Sequence, residues 1–124
     1  MDKQIMVVDD DPSIRDTVEI ILNVSGYPVC VVENGEKCLD KLREGFRGLI
    51  LMDIMMPKMD GWDTIAAIED EGLHGGNVIC MLTAVHDPDP KLEKLTEHVM
   101  DYVRKPFTSE ELLGAVTEYI AYVQ

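Results

Sequence analysis

The sequence predicts an α/β fold: a doubly wound, five-stranded parallel sheet with helices on both faces. Three observations carry this expectation. Short runs of aliphatic residues recur along the chain and alternate with stretches whose apolar residues have helical spacing. The runs Leu49–Met52 and Val78–Leu82 are apolar at every position, as strands covered on both faces must be. Acidic, hydroxyl or basic residues stand just beyond several runs, where the strands of such a sheet end.

The elements follow in order. Gln4–Val8 reads as a first strand, and Asp11-Pro12 as an N-cap with proline at the first helical position. Ile14, Val18, Ile21 and Leu22 give that helix its apolar face, and Gly26 ends it. Pro28–Val32 is the second strand. Asn34-Gly35 resembles a hairpin turn, but Cys38, Leu39 and Leu42 keep helical spacing, so Asn34 reads as a helix cap. Leu49–Met52 is the third strand, followed by a loop through Met56-Pro57 and a third helix capped by Asp60, with Trp62, Ile65, Ala66 and Ile68 on one face. Val78–Leu82 is the fourth strand. A short fourth helix is expected from Pro90, carrying Leu92, Leu95 and Val99 inward. Tyr102 and Val103 make a brief fifth strand, and Thr108, Ser109 and Glu111 a capping box for a closing helix buried through Leu112, Leu113, Val116 and Ile120. Strand order 2-1-3-4-5 is assumed, which sets the first and third strands beside the point where the order reverses.

Composition bounds the function. The 124 residues make one domain, residues 1–124, and 46% hydrophobic with 28% charged residues is an ordinary globular balance. A net charge of −13, from 24 acids and 11 bases, argues against nucleic acid or an anionic membrane as a partner. Cys30, Cys38 and Cys80 are odd in number, form no C-x-x-C pair and read as buried thiols. No signal peptide opens the chain and no apolar run approaches a membrane span, so a soluble cytoplasmic protein is expected.

On this topology Asp9, Asp10 and Asp53 converge. Three clustered carboxylates need raised pKa values or a bound cation, and an all-oxygen donor set suits Mg2+. Asp53, alone on the middle strand, is the candidate nucleophile for an aspartyl phosphate, with Asp9 and Asp10 to one side as metal ligands. Lys105 is placed to neutralise a phosphoryl group, and the Thr83 hydroxyl and Ala84 backbone amide to donate hydrogen bonds to it. Taken singly each residue has a plainer reading: Asp11 and Asp60 as helix caps, Asp9 and Asp10 as turn acids, Thr83 as a strand-end threonine, Lys105 as a surface lysine, Tyr102 as a half-buried aromatic. Their joint position at successive strand ends favours the chemical reading.

The segments VVDDDPSIR from Val7, LILMDIMMPKMDGW from Leu49, MLTA from Met81 and YVRKPF from Tyr102 resemble, in order and spacing, the receiver domain of bacterial and archaeal response regulators. The resemblance runs from Ile5 to Val123 and implies a flavodoxin-like three-layer sandwich. It also implies that Asp53 is the phosphoacceptor, Asp10 and Asp53 direct Mg2+ ligands, Asp9 an outer ligand through water and Met55 a backbone-carbonyl ligand. Thr83 and Lys105 would contact the phosphoryl group, and Lys105-Pro106 would be cis. The donor would be a sensor histidine kinase or histidine phosphotransfer domain. Phosphorylation would draw in Thr83 and let Tyr102 turn, remodelling an output face that includes Lys94, His98, Tyr102, Arg104 and the closing helix, toward an unknown downstream target protein. Such a protein is a switch that catalyses its own phosphoryl uptake and loss rather than a conventional enzyme.

Departures from that pattern lie near the output face. Glu97, His98, Val99 and Met100 replace the usual Ala-Gly-Ala-like turn, and Glu110, Glu111 and Ala115 stand where dimerising members place arginines, so a monomer or weak dimer is expected. The chain ends with its closing helix, which suggests a stand-alone regulator akin to the chemotaxis kind. A Mg2+-dependent phosphatase is disfavoured because Met55 occupies the position of its general acid, and a flavin carrier because acids follow the first strand.

Overall fold

The computed structural model describes residues 3–84 and 98–123. Within them lie five strands, β1 (Gln4–Val8), β2 (Val29–Val32), β3 (Gly48–Asp53), β4 (Val78–Thr83) and β5 (Val99–Arg104), and four helices, α1 (Pro12–Val24), α2 (Gly35–Arg43), α3 (Gly61–Asp70) and the closing helix α4 (Ser109–Ile120). The expected helix from Pro90, with Leu92 and Leu95, and output residue Lys94 lie outside the described residues.

All strand pairs are parallel and the order is β2-β1-β3-β4-β5, as assumed. Alternation along each strand divides the core into two layers. Ile5 and Val7 of β1 face Val18, Leu22, Leu112 and Val116 on the α1 and α4 side. Met6 and Val8 point the other way, toward Cys38, Leu39, Leu42, Ile65 and Ile68 on α2 and α3. Ile5 through Val8 and Leu49 through Met52 are fully buried, which explains why these strands read as continuous apolar runs rather than alternating ones.

The helix starts match the sequence signals. Asp11 caps α1 by accepting from the Ser13 amide, Asn34 caps α2 by accepting from the Lys37 amide, and Asp60 with Asp63 and Thr108 with Glu111 form reciprocal capping boxes on α3 and α4. Gly26, at φ +89°, leaves α1 in the left-handed conformation that glycine adopts without strain.

One element differs from expectation. Val99, assigned above to the fourth helix, opens β5, which runs six residues to Arg104 instead of the brief Tyr102-Val103 strand. Its pairing with Ile79 supplies the reason: hydrogen bonding to β4 recruits His98's neighbours into the sheet, past a register irregularity at Ile79/Cys80. Val99-Met100, two apolar residues between His98 and Asp101, carry no period that could show this. No described helix is long and apolar enough to cross a membrane.

Candidate functional site

Backbone hydrogen bonds between neighbouring strands continue past their carboxyl ends. The Asp9 amide donates to the Val32 carbonyl at 3.2 Å, the Ile54 amide to Leu82 at 3.1 Å and the Lys105 amide to Thr83 at 2.7 Å. Asp9 therefore leaves β1, Asp53 ends β3, Thr83 ends β4 and Lys105 leaves β5 at one level of the sheet.

There the side chains meet. Carboxylate oxygens of Asp9, Asp10 and Asp53 lie within 4.8 Å of one another. Asp9 is fully buried and Asp53 is 6% exposed, whereas Asp10 faces solvent. Lys105 reaches in from the far side of the sheet, its Nζ 2.8 Å from Asp9 Oδ2 and 3.4 Å from Asp53 Oδ1. Asp9 Oδ1 accepts from the Asp11 amide at 3.0 Å and Asp53 Oδ1 from the Met55 amide at 3.3 Å.

The electrostatics follow from this crowding. Burial and the neighbouring Asp9 charge push the Asp53 carboxyl up to about 6, against the partial relief given by Lys105 and the Met55 amide. Burial opposes the Lys105 charge, but the Asp9 and Asp53 carboxylates outweigh it and hold the ammonium above its usual pKa. One lysine does not neutralise three carboxylates. A hard divalent cation at the oxygen-only cluster fits that excess, and the donor set is the one Mg2+ takes.

Of the expected residues, Asp9, Asp10, Asp53 and Lys105 come together directly. Thr83 is 3% exposed at the end of β4, Ala84 follows it at the surface, and Met55 is 66% exposed on the loop after β3. Lys105-Pro106 is cis. Tyr102 is half-buried with its ring centroid 6.4 Å from that of Trp62, and its hydroxyl is enclosed without a hydrogen-bond partner among the described residues. Asp11 and Asp60 are the helix caps they read as.

Two contributors were not evident in the sequence. Arg15 Nη1 donates to the Asp9 carbonyl at 2.7 Å, holding the turn that carries the acidic pair. Its position one turn into α1 after an Asp-Pro cap is the only signal that could have found it. Gly61 is the other: a Cβ there would sit 2.7 Å from the Asp53 carbonyl oxygen, so the start of α3 packs directly on the end of β3.

The chain's residues 5–117 match the family model described as "Response regulator receiver domain". This chain belongs to the response regulator receiver family. Receiver domains act in two-component signalling, taking a phosphoryl group from histidine kinases onto an aspartate. Among solved structures, this receiver resembles a CheY-like receiver domain protein from Methanospirillum hungatei, with 45% identity and a TM-score of 0.93 over 98% of this chain and 96% of that one. It also resembles the response regulator TrrA from Thermotoga maritima in complex with Mg(2+)-BeF, with 31% identity and a TM-score of 0.77 over 94% and 97% of the two chains. These neighbours share the flavodoxin-like architecture. Among relatives, the receiver is 36% identical to the DNA-binding response regulator MtrA of Mycolicibacterium smegmatis over 94% of this chain and 50% of that protein. It is 32% identical to Protein PilG of Pseudomonas aeruginosa over 94% and 87%. Several relatives are longer: the receiver spans 44% of the probable transcriptional regulator ycf27 of Porphyra purpurea, to which it is 37% identical.

Proposed function

We propose that this receiver is a phosphorylation-activated switch in which Asp53 accepts a phosphoryl group from the phosphohistidine of a sensor kinase or phosphotransfer domain. The observation that carries the reading is the placement of Asp53: buried at the end of the central strand, within 4.8 Å of Asp9 and Asp10, and 3.4 Å from the Lys105 ammonium. An apo pKa of about 6 leaves its carboxylate ionised, and so nucleophilic, at neutral pH.

In the transfer, a carboxylate oxygen of Asp53 forms the new O–P bond as the donor's N–P bond breaks, and the imidazole takes up a proton. Oδ1 is held by Lys105 and the Met55 amide, which leaves Oδ2 as the attacking oxygen. Lys105 balances charge gathering on the phosphoryl oxygens, while the Thr83 hydroxyl and Ala84 amide donate hydrogen bonds to them. Asp10, Asp53 and the Met55 carbonyl would hold Mg2+, with Asp9 joined through water, and the cation would supply further neutralisation of that charge. Hydrolysis reverses the charge: water attacks phosphorus, phosphate leaves and the carboxylate returns.

The output follows from the same set. Movement of Thr83 toward the phosphoryl group changes the space beside β5, where the enclosed Tyr102 hydroxyl, without a hydrogen-bond partner among the described residues, gives that side chain a reason to move. The surface of β5 and α4, with His98 and Arg104, is the proposed address for a partner protein.

Incubation with Mg2+ and a small phosphodonor should add one phosphoryl mass in intact-protein mass spectrometry, and the gain should decay on removal of the donor. Asp53→Asn should abolish it, and chelation of the cation should suppress it. A persistent mass gain in Asp53→Asn would overturn the assignment.

A further inference from the structure

At the amino ends of β4 and β5, three side chains of metal-ligating types lie near one another that the phosphoryl chemistry does not use. His74 lies in the turn between α3 and β4, His98 stands directly before β5, and Glu69 is in the last turn of α3. The imidazole centroids are 4.7 Å apart, His98 Nε2 is 3.3 Å from Glu69 Oε2, and His74 Nε2 is 3.4 Å from the His98 carbonyl oxygen. A recess of about 200 Å³ opens beside the two histidines.

We propose that Glu69, His74 and His98 form a binding site for a borderline divalent transition metal such as Zn2+, separate from the Mg2+ cluster. Donor chemistry supports this first: two imidazoles and a carboxylate suit Zn2+, whereas the oxygen-only set around Asp53 suits Mg2+. Spacing supports it second. Metal–ligand bonds of about 2.1 Å at tetrahedral angles place ligand atoms roughly 3.4 Å apart and the centroids of two ligating imidazoles roughly 5 Å apart. The His98–Glu69 separation of 3.3 Å is already such an edge, and the 4.7 Å ring spacing is close to the second value. As the side chains stand, ligand atoms of all three do not lie within 4.8 Å of one another, and binding would require the half-exposed His74 ring to rotate off the His98 carbonyl to close the set.

The scaffold under His74 is well held. The Asn77 amide donates to the His74 carbonyl at 3.0 Å, Asn77 Nδ2 donates to Leu73, and buried Asn77 Oδ1 accepts from the Gly48 amide at the start of β3. A ligand on rigid backbone loses little entropy when it binds. A bound ion would clamp the end of α3 and the following turn to the residue directly before β5, the strand that carries Tyr102. The strand length of six residues sets this site roughly 20 Å from Asp53, so the two cations do not compete for ligands.

The test is a Zn2+ titration of the full chain in saturating Mg2+, followed by calorimetry and by imidazole 15N shifts in NMR. One equivalent should bind and shift the His74 and His98 ring nitrogens. His98→Asn and His74→Asn should each lower affinity by about 10- to 100-fold, with Glu69→Gln at the lower end, while His86→Asn and Asp10→Asn leave it unchanged. Absence of one-equivalent binding, binding that survives His98→Asn, or binding that follows His86 or Asp10 overturns the proposal. Should a variant fail to fold, the wild-type ring-nitrogen shifts decide alone. The result is independent of whether Asp53 is the phosphoacceptor.

Discussion

Asp53 carries two opposed demands. Its ending of a fully buried strand places the carboxylate where a phosphoryl group can be shielded, and the same burial, with Asp9 beside it, destabilises its charge. With its folded-state pKa raised from 3.8 to about 6, ionised Asp53 weakens the fold, and that penalty is relieved as pH falls from 6 toward 4. Asp53→Asn removes the charge while Lys105 keeps its 2.8 Å partner Asp9. In a chelator the variant should therefore have a higher Tm than the parent above pH 6, with the gap closing near pH 4. A thermal unfolding series across pH 4–8 checks it, and a pH-independent gap would place the effect elsewhere.

Residue chemistry was readable to unequal depth. Asp9, Asp10, Asp53, Thr83 and Lys105 stood out because each follows an apolar run. The pairing of Lys105 with Asp9 was not readable, since 96 positions separate them and nothing local links a lysine after β5 to an acid after β1. Arg15 was missed for a similar reason: its bond is to a backbone carbonyl, which every residue has.

At the scale of elements, caps and periodicity were legible because they are local. Asp11, Asn34, Asp60 and Thr108 each satisfy an amide within three residues of themselves. The extent of β5 was not, because strand ends are set by the partner strand. Two glycines on helices separate local from tertiary demands. Gly114 sits in α4 with open space where a Cβ would go, so Gly114→Ala should stabilise by about 0.5 to 1 kcal/mol through helix propensity. Gly61 begins α3, where an added Cβ would lie 2.7 Å from both the Asp53 carbonyl oxygen and the Met81 methyl carbon. Gly61→Ala should therefore cost about 2 kcal/mol. Urea unfolding of both variants checks the pair, and, with Asp53 as the proposed acceptor, Gly61→Ala should also slow phosphoryl uptake by displacing the loop after β3.

For the whole molecule, charge is the dominant variable. A net charge of −13 on 124 residues makes the folded chain repel itself, and the carboxylate cluster concentrates part of that repulsion at the strand ends. Raising NaCl from about 10 to about 200 mM in chelator should raise Tm by a few degrees as screening sets in. Mg2+ at far lower concentration should match that gain in the parent chain and not in Asp53→Asn, because binding to the folded state alone is stabilising.

Period, caps and the fully apolar central strands follow from interactions between residues near in sequence, so the α/β alternation and most element starts are written in the chain itself. Burial strength, partner choice and charge coupling are not, because they depend on which distant segments become neighbours. Sheet order brought Asp9, Asp53 and Lys105 to the carboxyl end of the sheet, recruited Val99 into β5 and set His98 against Glu69 and His74. Parallel pairing decides these contacts, since only the assembled sheet converts separate strand ends into a shared surface.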